Sequence, residues 1–345
     1  MADEMTSKER VLAALKWEEI DRIPVFSGKS SVASKLLNVK FNKEFLTDGE
    51  TIARAELAAW DAIKDDSVGV YANLALLEAL GADSVWPDND YPMFRKPVIA
   101  SHEDADRLEV PDPKTNKYML EIQKAVRILK KKAGDEVIVS ATLHGIFNLS
   151  ARLLGTETLL TSLSRDPVLV HKVFEKILEA QIKYGEALAE AGVDLLHIGD
   201  ATSSPACISP KTYEKFALPY HTKVLQAFKR AGAIASYHPC GGEYPIIDQI
   251  GRTGADLLHF SELVDLTVAQ KIFVGRIAVG GTVDPSKVLF LGTPQGVEEH
   301  VKGIIERLPF KTGTILAPGC GISPNFPVDN IKALVDAARK HGKYN

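Results

Sequence analysis

The chain has 345 residues, of which 45% are hydrophobic and 25% charged, and its 41 basic and 45 acidic residues give a formal net charge of −4. This balance gives no reason to expect a nucleic acid or an acidic membrane as partner. No apolar run approaches the roughly 18 residues of a membrane span, and the N-terminus, MADEMTSKER, lacks the basic-then-apolar plan of a signal peptide. We therefore expect a cytoplasmic protein whose three cysteines stay reduced and free for metal binding or chemistry.

The first predicted element is a helix over Thr6–Trp17, which opens with a capping box formed by Thr6 and Glu9. This helix fits none of the repeating units that follow it. We expect residues 1–20 to form an N-terminal helical extension that covers the rest of the fold.

Eight short apolar runs rich in β-branched residues come next. They are nearly continuous rather than alternating, which is typical of strands buried on both faces of a parallel sheet. The predicted strands are Ile23–Ser27, Asp66–Tyr71, Val137–Thr142, Asp194–Gly199, Ala233–His238, Asp256–Ser261, Ile277–Gly281 and Thr314–Pro318.

Helical patterns lie between these runs, and four times a helix-like segment closes on a glycine before a β-rich run. The proline-rich stretch Ser84–Pro113 is predicted to be a long loop. Strands alternating with helices predict one (β/α)8 barrel domain over residues 1–345, with an open doubly wound sheet as the lesser possibility. The clearest helical patterns are Asp166–Ala191, Ser209–Ala231, Pro294–Arg307 and Val328–Lys340.

In such a barrel the chemistry sits at the carboxyl ends of the strands. His238 and Cys240 are two positions apart at one strand end, and Cys320 follows another strand 80 residues later. Two thiolates and an imidazole are ligands that zinc prefers, so this trio predicts a zinc site. The full set of polar side chains at the strand ends is Ser27, His144, Asp200, His238, Cys240, Glu262, Asp284 and Cys320.

A simpler interpretation is that His238 is hydrogen-bonded within the mouth of the barrel and that both cysteines pack as small apolar groups. Cys207 is predicted to be a free thiol, although it could replace another ligand. His197 and His259 lie within strands, on the opposite face from Asp200 and Glu262, and are predicted to be hydrogen-bonded core residues.

Five stretches of the chain carry a resemblance to a known family. They are ERVLAALKWEEIDRIPV near the start, ISPKTYEKFALPY from Ile208, HPCGG, GGTVDP from Gly280 and APGCGISPNFPVDNIKAL from Ala317. Together they resemble the uroporphyrinogen decarboxylase superfamily, and in particular its zinc-dependent branch of methylcobamide methyltransferases. The resemblance extends over essentially the whole chain and implies zinc ligation by His238, Cys240 and Cys320. It also places Glu262 where an acidic residue can complete the zinc shell before substrate binds.

The sequence departs from the decarboxylases of that superfamily. Their Arg-Gln-Ala-Gly-Arg-like motif, which holds the carboxylates of the porphyrinogen, is replaced by VFSGKSSVA, and their catalytic aspartate is missing from VGVYANLALLEALG. Decarboxylation is therefore disfavoured. The GPFTLA of many relatives is GIFNLS here, just after His144, which leaves the identity of the methyl acceptor open.

The resemblance implies methyl transfer between a corrinoid and a zinc-activated thiol or thioether. Glu262 is expected to ligate zinc at rest and to leave when the substrate sulfur binds, whereas Asp200 and His144 are expected to shape the substrate pocket. For Asp200, a hydrogen bond that fixes the following loop is an equal alternative. The chain lacks the Asp-x-His-x-x-Gly motif that ligates cobalt, so we expect the corrinoid to arrive free or on a separate protein.

Three functions thus remain open at this point. Besides methyl transfer to a thiol or thioether, the chain could be a demethylase component that loads a corrinoid protein from a methoxylated or methylthio compound. A non-catalytic zinc or corrinoid carrier is the third, which an open mouth with an exchangeable ligand position disfavours.

Overall fold

A computed structural model describes residues 3–344. Its main sheet has seven parallel strands in the order β1-β4-β5-β6-β7-β8-β9, and β2 pairs with β3 in a separate antiparallel hairpin. The chain follows the (β/α)8 barrel plan that the sequence predicts. The strands are β1 Ser67–Tyr71, β2 Ser84–Val85, β3 Met93–Phe94, β4 Ile138–His144, β5 Leu195–Gly199, β6 Ile234–His238, β7 Leu257–Phe260, β8 Ala278–Val283 and β9 Thr314–Pro318.

The segment Ile23–Ser27 was expected to be the first of eight strands, and that prediction is wrong in detail. Only Val25 forms a ladder bridge, to Leu316 of β9, while the Val25 carbonyl accepts from the Asp66 amide next to β1. Pro24 has no amide hydrogen, and the amides of Val25 and Ser27 donate to aspartate side chains instead of to a strand. The segment nevertheless occupies the predicted place between β9 and β1, because the Phe26 amide donates to Leu316 and the Leu316 amide donates to Pro24.

Helices surround the sheet. The helical patterns predicted over Asp166–Ala191, Pro294–Arg307 and Val328–Lys340 agree with helices of the structure to within one residue at each end. The helices are α1 Ser7–Leu15, α2 Ala33–Leu36, α3 Lys43–Leu46, α4 Gly49–Ile63, α5 Ala72–Ala79, α6 His102–Arg107, α7 Lys117–Ala133, α8 Ile146–Leu154, α9 Thr156–Arg165, α10 Pro167–Ala191, α11 Pro210–Thr212, α12 Leu218–Arg230, α13 Ile247–Gly251, α14 Leu266–Phe273, α15 Pro294–Arg307 and α16 Val328–His341. Between α11 and α12 the pattern Ser209–Ala231 is interrupted by a π-helical turn at Tyr213–Ala217.

The four glycines that follow helix-like segments all adopt positive φ, between 80° and 115°. Such a conformation stops a helix and is open to glycine at little cost. After the first of them the chain enters the β2–β3 hairpin, so the predicted loop Ser84–Pro113 contains that hairpin and α6. The four residues are Gly81, Gly192, Gly232 and Gly254.

Helix α1 begins with the predicted capping box, in which Thr6 and Glu9 bond to each other's backbone amides. Its Val11 packs against apolar residues at the amino ends of the strands, including Ile138 and Leu195. The N-terminal extension therefore covers the end of the barrel opposite the carboxyl ends of the strands.

Buried ion pairs tie this extension to the barrel. Arg10 and Arg22 both bind the carboxylate of Asp66, with N–O distances of 2.8 Å, and Arg10 also binds Asp21 at 2.6 Å. The Asp66 carboxylate also accepts from the Val25 amide at 2.8 Å. Buried charged groups are tolerated only when they are paired and hydrogen-bonded in this way. The network therefore fixes the N-terminal segment against the barrel, and the buried charges depend on that segment for their partners.

None of the helices formed by residues 3–344 combines the length and apolar character that a membrane crossing requires.

Candidate functional site

Three predicted metal ligands converge at the carboxyl ends of two strands. His238 is the last residue of β6, Cys240 follows it by two positions, and Cys320 lies two positions beyond β9. One potential ligand atom from each lies within 4.8 Å of the others, and the two Sγ atoms are 3.8 Å apart. Residues 80 positions apart in sequence thus form one sulfur and nitrogen cluster.

The backbone of the HPCGG segment explains its two glycines. Cys240, Gly241 and Gly242 have φ values of 50°, 86° and 78°, so three consecutive residues occupy the left-handed region. A Cβ on Gly241 would lie 2.8 Å from Ser204 Oγ. A non-glycine residue in this conformation is strained, and such strain is concentrated at functional sites. The turn directs Cys240 back over the end of the barrel.

The orientation of His238 suits a metal ligand. Its Nδ1 donates to the carbonyl oxygen of His259 at 2.8 Å, so the lone pair of the neutral ring is on Nε2. Nε2 is buried and has no hydrogen-bond partner in the described part of the chain. A backbone carbonyl that fixes the ring in this way is the usual outer partner of a metal-bound histidine.

The cysteine pair shares its protonation. The Cys240 thiol donates to Cys320 Sγ, and this bond, aided by nearby His238, lowers the pKa of Cys320. The same bond, together with burial, raises the pKa of Cys240. One thiolate is therefore favoured even without a metal ion.

His197 and His259 were expected to be core residues, and the structure corrects this prediction. Both have hydrogen-bond partners, Ser236 Oγ at 2.9 Å and the Pro318 carbonyl at 2.7 Å respectively, yet both rings line the cavity beside His238. Inward-facing residues near the top of a barrel border its open end, which periodicity alone cannot distinguish from a packed core. Burial lowers the pKa of His259 to about 4 and also lowers the pKa of His197, so both rings are neutral at neutral pH.

A cavity of about 170 Å³ extends along the inside of the barrel to the carboxyl ends of the strands. His238 and Cys320 form part of its wall, and the opposite wall comes from β1 and the segment before α2. Its lining combines hydroxyl groups with apolar side chains, among them Ser67, Tyr71, Ser140, Thr142, Ser236, Phe26 and Ile322.

The opposite wall holds an ion group that the sequence analysis missed. Lys29 is 1% exposed, and its Nζ lies 3.0 Å from Glu56 Oε1 and 2.9 Å from Asp65 Oδ1. Burial acts to lower the pKa of Lys29, but the two carboxylates outweigh it and raise the pKa. The only sequence signal for this group was the lysine within SGKSS and the aspartate pair before β1.

His144 ends β4, and its Nε2 bonds to the side-chain amide of Asn73 at 2.8 Å. Burial, with a smaller effect of Arg152, lowers its pKa to about 4. It is not among the cavity-lining residues described above. Its role in substrate binding stays a prediction.

Asp200 is fully buried, and both of its carboxylate oxygens are occupied. They accept from the amides of Phe147 and Asn148 at the start of α8, at 3.0 and 2.8 Å, and His221 Nε2 lies 2.8 Å from one of them. A Cβ on Gly145 would lie 2.4 Å from this carboxyl group. These contacts favour the loop-fixing alternative over direct contact with substrate.

Glu262 is exposed and lies beside the cysteine cluster without joining it. The group of ligand atoms within 4.8 Å does not include its carboxylate. A Cβ on Gly319, the residue before Cys320, would lie 2.9 Å from Glu262 Oε2. Ligation of zinc by Glu262 in the resting protein therefore stays a prediction that needs a movement of the side chain.

The other residues at the strand ends have local roles. Ser27 donates to Asp65 at 2.6 Å, and Asp284 accepts from the amides of Ser286 and Lys287 at the next helical turn. Cys207 is exposed and free, as predicted.

Comparisons with known proteins agree with the resemblance noted from sequence. Methylcobamide:CoM methyltransferase MtbA of Methanosarcina mazei is 29% identical over 343 residues, which cover 98% of this chain and 99% of that protein. Methylcobamide:CoM methyltransferase MtaA of Methanosarcina barkeri is 26% identical, covering 97% and 98%. Among solved structures, a methyltransferase from Methanosarcina mazei superposes with a TM-score of 0.88 at 25% identity, covering 98% of this chain and 99% of that one.

A family model described as uroporphyrinogen decarboxylase (URO-D) matches residues 6–341, from the capping box of α1 to the last residue of α16. The match includes every strand of the barrel and all three residues of the cysteine and histidine cluster. The chain belongs to the uroporphyrinogen decarboxylase family.

Proposed function

We propose that this protein is a corrinoid-dependent methyltransferase that moves a methyl group between a methylcobamide and a thiol or thioether sulfur. The observation that carries the proposal is the cluster of His238, Cys240 and Cys320 at the mouth of the barrel, in a chain that aligns end to end with methyltransferases. The decarboxylases of the same family are the less suitable model, because Lys29, the only lysine or arginine among the described residues that line the cavity, is already paired with two carboxylates.

The cluster fits zinc in its chemistry. Zinc prefers cysteine sulfur and histidine nitrogen, and a catalytic site keeps one position open for substrate. The buried, unpartnered Nε2 of His238 and the two sulfur atoms would be its ligands. Zinc there would supply Lewis acidity that keeps a substrate sulfur deprotonated at neutral pH.

The surrounding residues of the chain hold this arrangement in place. The His259 carbonyl orients the His238 ring, and the left-handed turn at Cys240 positions its sulfur. The neutral rings of His197 and His259 and the hydroxyl groups of the wall provide a polar lining. A substrate sulfur can thus reach the cluster from the cavity, with its remaining atoms against that lining.

In the direction of thiol methylation, the methyl group moves from cobalt to sulfur. The substrate thiol loses its proton, its sulfur forms a bond to the methyl carbon, and the carbon–cobalt bond breaks with both electrons on cobalt. The corrinoid must come from outside this chain. The one sequence that approaches a cobalt-binding motif begins at Asp194, whose carboxylate is held by Lys8 and Lys130 at the far end of the barrel.

The experiment is an anaerobic assay with zinc-loaded protein, methylcob(III)alamin and a panel of thiols. We expect the methylcobalamin spectrum to change to that of cob(I)alamin, with an equal amount of methylated thiol found by mass spectrometry. Uroporphyrinogen III serves as the second substrate. Carbon dioxide release from it, with no cobalamin change for any thiol, would contradict the proposal.

A further inference from the structure

The wall of the cavity opposite the cysteine and histidine cluster contains a buried ion group. Lys29 is the only lysine or arginine among the described residues that line this cavity. Its side chain is buried, and the residue is 1% exposed.

The ammonium group of Lys29 is surrounded by oxygen atoms of the protein. It donates to the Ser67 carbonyl and lies at ion-pair distance from Glu56 Oε1 and Asp65 Oδ1, 3.0 and 2.9 Å away. The carboxylates are held in turn, since Glu56 accepts from the Gly69 amide and Asp65 from Ser27. The group is a fixed part of the wall.

The formal charges of this group do not cancel. Two carboxylates face one ammonium, so Lys29, Glu56 and Asp65 sum to −1, and Glu56 Oε2 is buried without a hydrogen-bond partner in the described residues. An anionic ligand in the cavity would leave water, find no free lysine or arginine, and be repelled at short range by this excess charge. The hydroxyls of Ser67, Ser140 and Thr142 offer hydrogen bonds to an uncharged ligand instead.

We propose that this cavity takes small sulfur compounds without an anionic group, and that it disfavours sulfonated or carboxylated thiols, including coenzyme M. The expectation that the ligand contains sulfur rests on the proposed function, whereas the expectation that it carries no negative charge rests on the Lys29 group.

The test uses three methyl thioethers that differ only in their end group: 2-(methylthio)ethanol, 2-(methylthio)ethylamine and 2-(methylthio)ethanesulfonate. Their sulfur does not titrate, so binding to the zinc-loaded protein reports the end group alone. By isothermal titration calorimetry we expect the alcohol and the amine to bind at least about tenfold more tightly than the sulfonate. Equal or tighter binding of the sulfonate, or no binding of any of the three, would overturn the inference.

The parent thiols are then assayed with methylcob(III)alamin. The two ideas fail separately: methylation of none of the thiols, with the binding order intact, refutes the proposed methyl transfer and leaves the cavity assignment standing. Preferred methylation of 2-mercaptoethanesulfonate keeps the methyl transfer and refutes the assignment.

A substitution within the Lys29 group tests whether this group causes the preference for uncharged ligands. Glu56→Gln removes one negative charge while its amide oxygen can still accept from Gly69, and it should reduce the preference for alcohol over sulfonate at least about threefold. Glu50→Gln, an exposed residue of the same helix, is the control and should leave the preference unchanged. If Glu56→Gln does not fold, Asp65→Asn replaces it. An unchanged preference in the folded variant would refute the role of the group.

Discussion

The polar groups at the two ends of the barrel differ in how they are paired. At the amino ends of the strands, Arg10, Arg22 and Asp66 pair with one another and with the backbone. At the carboxyl ends, His238 Nε2 is buried without a partner and Cys240 has a strained left-handed backbone. The difference teaches that the first end serves stability and the second is arranged for a ligand, as is general for this barrel architecture.

The largest effect should come from removing a sulfur ligand. Cys240→Ala and Cys320→Ala should lose most of the bound zinc, and methyl transfer should fall by at least about a thousandfold, because zinc supplies several kcal/mol of the catalysis. The barrel core does not depend on the metal, so thermal unfolding should change little. Elemental analysis, the cobalamin assay and circular dichroism measure the three quantities.

Cys207→Ala is the matched control, since Cys207 is exposed and free. It should keep stoichiometric zinc and full activity. Stoichiometric zinc in Cys240→Ala, together with zinc loss in Cys207→Ala, would reverse the assignment of the ligands.

At the opposite end, Asp66→Asn should reduce stability and leave the chemistry in place. The change leaves the buried guanidinium groups of Arg10 and Arg22 without a full counter-charge, which costs about 3–5 kcal/mol in comparable buried pairs. Urea unfolding measures the loss, and zinc content per folded chain should be unchanged. Asp61→Asn, on an exposed i,i+3 pair, is the control with little expected effect. Equal stability of the two variants would contradict the comparison of the two ends.

Asp200 tests whether every carboxylate at the carboxyl ends of the strands takes part in ligand binding. Asp200→Asn weakens bonds to α8 or to His221, so it should lower stability by about 1–3 kcal/mol before it raises KM. Asp284→Asn is the control, because asparagine caps a helical turn as well as aspartate does. A raised KM or altered acceptor choice with unchanged stability would instead place Asp200 in the substrate pocket.

The smallest effect is expected for Glu262→Gln. Three strong ligands remain, so zinc should be retained, while substrate affinity and turnover should change by less than about tenfold, since the exposed carboxylate is predicted to be only an exchangeable ligand. X-ray absorption tests the exchange directly: the resting protein should lose an oxygen ligand when substrate sulfur binds. A gain of sulfur without loss of oxygen would rule it out. Glu299→Gln, another exposed carboxylate, controls for surface charge.

Some of the site was predictable because it lies at strand ends, which local patterns locate well. His238 and Cys240 lie two positions apart at the end of β6, and Cys320 follows β9, whose bounds are those predicted, so their convergence followed from the barrel plan. The ion group of Lys29 was not predictable in the same way. Its members come from the segment before α2, from α4 and from the residue pair before β1, and no local pattern indicates that they meet.

The sequence by itself determined the fold class, the boundaries of most strands and long helices, the capped N-terminal helix and the cysteine and histidine cluster. These depend on short-range periodicity, turn chemistry and family motifs. Only the tertiary structure decided that the segment around Val25 forms a single ladder bridge, that His197 and His259 line the cavity, that Asp200 is fully occupied and that Lys29 is paired with two carboxylates. Each of these outcomes depends on which side chains compete for one hydrogen-bond donor or one buried charge, and such competition exists only once distant segments are packed together.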